Sequence, residues 1–363
     1  MQIVIIRKDA LALIPPLLSV ANILADLGHK VHIINSEVSE PISTILESKG
    51  ITYQILNFTG KTSLIGKIIQ YLKFRYNARK ILSKLDFDLL WVEDSHTMLS
   101  LGTFIKRYKY VLQISELYNN DNRLMKAIGK VIDGAELVFM PEYNRSVMYQ
   151  IWFKLKKRPV LLPNKPYFVP TQKEIEAIRP NYSSHLNKMA SKKVILYQGR
   201  IHPERSIEGF VRAASLLGDD FLFVIMGKDQ FGLVEKYREL NTNLLHIDFI
   251  PAPDYLLITS IAYIGILSYD PMLLNTAYCA PNKIYEYGAF GIPMIGNDIP
   301  GLKLLEHNNA GILIDENNEH AILNAYYWIN ENHETCSQNS KNLYNKTDNK
   351  ETIRKALEML KIS

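Results

Sequence analysis

The chain of 363 residues holds only two cysteines, Cys279 and Cys336, far apart and without a CxxC pair. That scarcity excludes a disulfide framework and a cysteine-built metal site, and it fits a reducing compartment. No apolar run approaches the length of a membrane span. The first residues, "MQIVIIRKDA", enter a strand pattern without the n-region and cleavage site of a secretory signal. The expectation is a cytoplasmic protein. A GxGxxG after the first strand is missing, which argues against a hydride-transfer cofactor. Internal repeats and low-complexity tracts are missing too. What is present, 47% hydrophobic and 22% charged residues, belongs to a folded chain long enough for two domains.

Acidic charge is short in one half. Through Pro163 there are 22 Lys+Arg against 14 Asp+Glu, whereas the remainder has 20 against 23. An anionic partner is therefore expected to meet the N-terminal half.

Short apolar runs alternate with helical patterns. "QIVIIR" (Gln2 to Arg7) and "KVHIIN" (Lys30 to Asn35) read as buried parallel strands, as do "DLLWVED", "YVLQISE" and "AELVFMP". Helices are predicted from about Pro16 to Leu27 and from Ile42 to Gly50, each closed by a glycine. From Pro163 to about Lys193 the chain turns rich in proline, lysine and polar residues, with one short helix near "TQKEIEAI". Alternation restarts with "KVILYQGR", "FLFVIMGKD", "LLHIDFI", "YIGILSYD", "GIPMIGND" and "AGILIDE", and "KETIRKALEMLKIS" reads as a terminal helix. Two parallel α/β domains in tandem follow, with ligands expected beyond the carboxyl ends of the strands.

Two strand-to-helix turns carry residues suited to a nucleoside diphosphate. "LYQGRIHPERSIEGFVRA" ends a strand at Gly199-Arg200 and places Arg205 before a helix predicted from about Ser206. Forked guanidinium hydrogen bonds and helix amides suit a diphosphate there; two surface arginines are the plainer reading. "APNKIYEYGAFGIP" starts a helix after Pro281, so backbone amides at Asn282 and Lys283 face an anion, and Glu286 lies one turn further along. Its carboxylate suits the two hydroxyls of a ribose, or else an i,i+3 salt bridge with Lys283.

These segments, together with "HIDFIPAPDYLLITSIAYIGILSYD", "PNKIYEYGAFGIPMIGNDIPGLKLLE" and "AGILIDENNEHAI", resemble in order the donor domain of GT-B glycosyltransferases, in particular glycosyltransferase family 4, over roughly Val194 to Asn330. The "PNKIYEY" form is similar to a subgroup found in bacterial capsule and O-antigen assembly. The resemblance implies two Rossmann-like domains facing a cleft, with the acceptor domain over residues 1–165. Linker and donor domain would follow over 166–345, and a terminal helix, 346–363, would return to the first domain. It implies that Gly199, Arg200, Arg205, Asn282 and Lys283 hold the diphosphate and that Glu286 binds the ribose. By the same carry-over Phe249 and Ile250 meet the base, and Tyr278, Cys279, Ala280 and Pro281 lie on the donor-sugar side. The chain departs from the family at Arg205 (usually lysine), Ser206 (usually glycine) and Tyr278 (often glutamate). "RKDALALIPP" stands where a glycine-rich loop is common, and Ser115-Glu116 where a histidine often precedes an acid.

Glu116, after the strand "YVLQIS", and His96, in "WVEDSHTMLS" beside Glu93 and Asp94, are the catalytic candidates on the acceptor side. Glu116 serves equally as a helix cap, and His96 as a structural residue. Retaining transfer, which the resemblance implies, needs no protein nucleophile if Arg205 and its neighbours stabilise the departing diphosphate. Asp86-Phe87-Asp88 has the DxD form of a metal-dependent transferase fold, but no cluster has ligand spacing, so no metal and no cofactor are expected.

Between Lys61 and Leu85 there are seven basic residues and no acidic one, with Leu64, Ile65, Ile68, Ile69 and Leu72 near helical spacing. The segment suits an anionic membrane surface, which "WFKLKKRP" (Trp152 to Pro159) extends, and a polyprenyl-diphosphate-linked acceptor would bring the protein there. The other reading is a helix packed on the sheet. Nucleic acid is not expected, since no binding motif accompanies the charge. Three functions stand: a transferase taking a nucleotide-sugar to a glycan or lipid-linked acceptor, a non-catalytic glycan- or protein-binding partner of another transferase, and a nucleotide-sugar epimerase.

Overall fold

A computed structural model describes residues 1–8, 15–38, 40–56, 64–119 and 121–361. Residues 9–14, which carry most of the "RKDALALIPP" loop, and Lys61–Ser63 of the basic segment lie outside the described residues. The chain divides into two units, Met1–Tyr167 with Asp348–Ser363, and Phe168–Thr347.

In the first unit, β1 (Gln2–Ile6), β2 (Lys30–Asn35), β3 (Thr52–Ile55), β4 (Leu89–Glu93), β5 (Tyr110–Gln113), β6 (Leu137–Met140) and β7 (Val160–Leu161) form a seven-stranded sheet. Its order is β3-β2-β1-β4-β5-β6-β7, and every pair is parallel. The central strands are the continuous apolar runs of the sequence because helices cover both faces. The two outermost strands escape the sequence reading. Thr52–Ile55 is largely exposed and Val160–Leu161 is only two residues long, so neither needs an apolar run. Trp91 and Phe139 stack at 4.7 Å in the core, and Trp91 Nε1 donates to Gln113 Oε1 at 2.8 Å. The terminal helix Asn349–Lys361 buries Ile353, Ala356 and Leu357 in this same core, so the chain's end returns to the first unit.

In the second unit, β8 (Lys193–Gln198), β9 (Phe221–Met226), β10 (Leu244–Ile247), β11 (Ile264–Leu267), β12 (Met294–Asn297) and β13 (Gly311–Ile314) form a parallel sheet ordered β10-β9-β8-β11-β12-β13. Side chains alternate across it: Val194 and Leu196 enter one core and Ile195 and Tyr197 the other. The stretch between the sheets holds more order than its composition predicts. Helices Gln172–Ile178 and Ser183–Met189 flank a 3-10 turn, and Ile175, Leu186 and Met189 are buried in the second unit. In each sheet the strand order reverses between the first strand and the fourth, where a parallel sheet opens its ligand crevice.

Candidate functional site

The reversal in the second unit lies between β8 and β11. Gly199, directly after β8, has φ +130°, and a Cβ there would stand 2.8 Å from Lys283 Cε and 2.9 Å from its Nζ. Gly227, directly after β9, has φ +156°, and a Cβ there would fall 1.9 Å from the Gly199 carbonyl oxygen. Two backbones thus meet at the crevice floor with no room for a side chain. Gly227→Ala is expected to lower stability by about 3 kcal/mol, because neither backbone can yield cheaply; chemical denaturation measures it.

Above this floor two cations converge on one ring. The Arg205 guanidinium lies 5.2 Å from the Tyr269 ring centroid, and Lys283 Nζ lies 6.0 Å from it. Among the described residues, neither Arg205 nor Lys283 makes an ion pair with a carboxylate. The Lys283 ammonium is held below its ordinary pKa, first by desolvation, with the Glu286 charge opposing that and the Arg205 charge adding to it. An anion between the two cations would relieve the repulsion. Tyr269 is held in turn by Asn297, which is fully buried, accepts from Tyr269 N at 3.1 Å and donates to Tyr269 O at 2.6 Å. Ser268 Oγ donates to Ser206 O at 2.7 Å and ties the segment that follows Arg205 to the end of β11.

Lys283 opens the helix Lys283–Ala289, with Asn282 as its cap position. Glu286, on that helix, is buried and does not pair directly with Lys283. Its two oxygens accept instead from Gln198 Nε2 at 2.6 Å and Tyr255 Oη at 2.8 Å. Thr259 Oγ1 donates to Gln198 Oε1 at 2.7 Å and fixes which end of that amide faces the carboxylate. Burial raises the Glu286 pKa above its ordinary value, while the Lys283 charge and the Tyr255 and Gln198 hydrogen bonds hold it back. An ionised carboxylate has lone pairs left after two such bonds, so it can still accept from a pair of hydroxyls.

The remaining donor-side candidates line the same unit. Arg200 is exposed at the end of β8, and its carbonyl accepts from Tyr197 Oη at 2.9 Å. The helix expected from Ser206 begins later, at Glu208, because Pro203–Arg205 forms a 3-10 turn first. Phe249 is exposed with Lys228 Nζ 4.8 Å from its ring centroid, while Ile250 is buried. Cys279 and Pro281 are buried, whereas Tyr278 and Ala280 are partly exposed. Gly301 presses against this segment: a Cβ on it would stand 2.3 Å from Cys279 N.

In the first unit the acidic candidates separate. Glu93 is fully buried and accepts from Arg7 and, at 3.0 Å, from Ser115 Oγ, a structural role. Asp94 caps the helix Ser95–Leu101 by accepting from His96 N at 3.2 Å. His96 is half-buried, and its Nδ1 is hydrogen-bonded to Tyr71 Oη. Glu116 is exposed three residues beyond β5, and the cap of the next helix, Arg123–Gly129, is Asn122. Of the DxD pair, Asp88 accepts from Gln2 N at 2.7 Å, at the amino end of β1 and away from the ligand crevice. Among the described residues no three His, Cys, Asp or Glu side chains group as metal ligands.

Residues 179–346 match the family model described as "Glycosyl transferases group 1". A comparison with curated protein sequences finds no match. Among solved structures, the chain is similar to Anabaena Alr3699/HepE in complex with UDP, with a TM-score of 0.72 at 14% identity over 100% of both chains. It is also similar to a glycosyltransferase from Rickettsia africae ESF-5, with a TM-score of 0.72 at 16% identity over 99% of this chain and 97% of the other. UDP-GlcNAc 2-epimerase from Neisseria meningitidis bound to UDP-GlcNAc gives a TM-score of 0.63 at 13% identity over 99% and 100%. At these identities the likeness establishes the fold and leaves the reaction to the site. The chain has the GT-B fold, and its residues 179–346 match the group 1 glycosyl transferase family model.

Proposed function

We propose that the protein transfers a sugar from a nucleotide-sugar donor to a glycan or a polyprenyl-diphosphate-linked acceptor. It would act on the cytoplasmic side in cell-surface polysaccharide synthesis of the capsule or O-antigen kind, as a family 4 enzyme. The observation that carries the donor half is the convergence of Arg205 and Lys283 on Tyr269, one helical turn from the buried Glu286 carboxylate. Cations without carboxylate partners suit the diphosphate, and the carboxylate suits the ribose. The exposed Phe249 ring, backed by Lys228, suits a base.

In the proposed reaction the bond between the anomeric carbon and the diphosphate oxygen breaks, and its electron pair leaves with the phosphate. Arg205, Lys283 and the exposed Arg200 stabilise that charge, a role a metal plays in other transferases. The acceptor oxygen forms the new bond with retention of configuration, and its proton passes to the departing phosphate or to His96 or Glu116. Of these two candidates, His96 has its ring fixed by Tyr71, whereas Glu116 is exposed.

The epimerase likeness favours a second reading of the same donor site, isomerisation of the bound sugar without an acceptor. Ligand-observed NMR with UDP-, GDP-, ADP-, CMP- and dTDP-sugars, followed by product analysis, separates the readings. Selective binding of one donor and a new glycosidic bond are expected. An epimerised donor with no transfer product hands the site to the second reading. A folded protein that binds none of the donors removes both and leaves a partner-binding role.

A further inference from the structure

The helix Leu64–Leu82 in the first unit is apolar on two sides. Phe74, Ala78 and Leu82 are buried and anchor it to the domain. Ile65, Ile68, Ile69, Leu72 and Tyr76 point the other way and are 71%, 54%, 44%, 59% and 68% exposed. At 100° per residue these five share one face, with Lys73 and Lys80 along one flank and Arg75 along the other; all three basic side chains are exposed. A run of outward apolar side chains is far more than the isolated exposed leucine of an ordinary surface.

We propose that this face docks on an anionic lipid bilayer, with the apolar ridge entering the headgroup boundary and the basic flanks meeting lipid phosphates. Charge decides between occupants. From Lys61 to Leu85 no acidic residue offsets the seven basic ones, so a second copy placed symmetrically on the same face would bring like charges together. An anionic membrane supplies the complementary charge and takes up the apolar ridge. The same helix turns Tyr71 inward, where it holds His96 and lies under Lys8 Nζ, 4.7 Å from the ring centroid. A bilayer on the outer face would thus adjoin the carboxyl ends of β1 and β4, where an acceptor anchored in lipid would be presented. The docking itself does not rest on the nucleotide-sugar reading.

The full chain is sedimented with phosphatidylcholine vesicles with and without phosphatidylglycerol. The variants are Ile65→Ser/Ile68→Ser/Leu72→Ser and Lys73→Gln/Arg75→Gln/Lys80→Gln, whose substituted side chains are all exposed. Wild type is expected to bind the anionic vesicles at least about tenfold more tightly than the neutral ones, and added salt should weaken this. The apolar variant is expected to lose about tenfold or more. The basic variant should lose about 10²-fold, at about fivefold per charge. Wild type that ignores anionic vesicles, or an apolar variant that binds like wild type, overturns the proposal. So does a wild-type dimer in light scattering that the apolar variant disperses. Circular dichroism and nucleotide-sugar binding, read in parallel, distinguish an unfolded variant and keep a failure of the donor site separate from a failure of docking.

Discussion

Replacing Arg205 or Lys283 with alanine is expected to lower kcat for sugar transfer by about 10²- to 10³-fold each. The departing diphosphate gains negative charge as the glycosidic bond breaks, and a preorganised cation beside it stabilises that charge more than the ground state. Both cations lean on Tyr269, which is itself clamped by the buried Asn297. They are therefore held in place before the donor arrives. Removing one also removes the repulsion it exerts on the other, so the double variant is expected to lose less than the product of the single losses. Arg205→Lys, which restores the residue usual in the resembling family, is expected to recover most of the rate. Steady-state kinetics with a fixed acceptor checks all four variants. A kcat within about threefold of wild type in Arg205→Ala and Lys283→Ala would remove these cations from the catalytic account.

Glu286→Ala is expected to weaken nucleotide-sugar binding by about 10²-fold. Hydrogen bonds to a charged acceptor contribute about 1.5–3 kcal/mol each, and two ribose hydroxyls lose their acceptor together. The same change leaves Gln198 Nε2 and Tyr255 Oη buried without the oxygens they now serve, so Glu286→Gln is the cleaner probe of charge. The folded pKa of Glu286 lies above the unfolded value. The folded state therefore holds this proton more tightly, and the group's stabilising contribution is present below the unfolded pKa and lost as pH rises through the folded one. On the proposed ribose role, which uses the ionised carboxylate, donor binding runs in the opposite sense: affinity should fall with acid at a pH above the ordinary glutamate range. Glu286→Gln is expected to be at least as stable as wild type near neutrality, to bind the donor about tenfold more weakly, and to lose this acid limb. Calorimetric titrations across pH, with thermal melts alongside, read all three. An acid limb that survives in Glu286→Gln would assign it to another group.

Much of the candidate site's placement at strand ends and a helix start was legible because local pattern and chemistry coincide there. Gly199, Arg205, Lys283 and Glu286 sit at strand ends and a helix start, positions that apolar runs and Pro281 mark in the sequence. Their supports were not legible. Gln198 and Glu286 are 88 positions apart, and Tyr255 and Glu286 are 31 apart. Gln198, Tyr255 and Asn297 carry no signal in the sequence that marks them as partners of such a site. Only the meeting of β8, β11 and β12 makes them parts of one site. The i,i+3 spacing of Lys283 and Glu286 even suggested a salt bridge, but the carboxylate is instead taken by donors from two other elements.

The sequence by itself determined the alternation of buried strands and helices, the tandem of two parallel sheets and the basic bias of the N-terminal half. All of these depend on local composition and on periods of two or 3.6 residues. Tertiary structure decided which side of each element faces in. In Leu64–Leu82 both sides carry apolar residues, so periodicity was silent on the choice. Packing buried Phe74 and Ala78 and left Ile65, Ile68 and Leu72 outside. It likewise decided which charges are satisfied, assigning Glu93 to Arg7 and Ser115 and Asp94 to a helix cap. A charge's partner is chosen by distances between residues far apart in the chain, and those distances exist only once the sheets have formed.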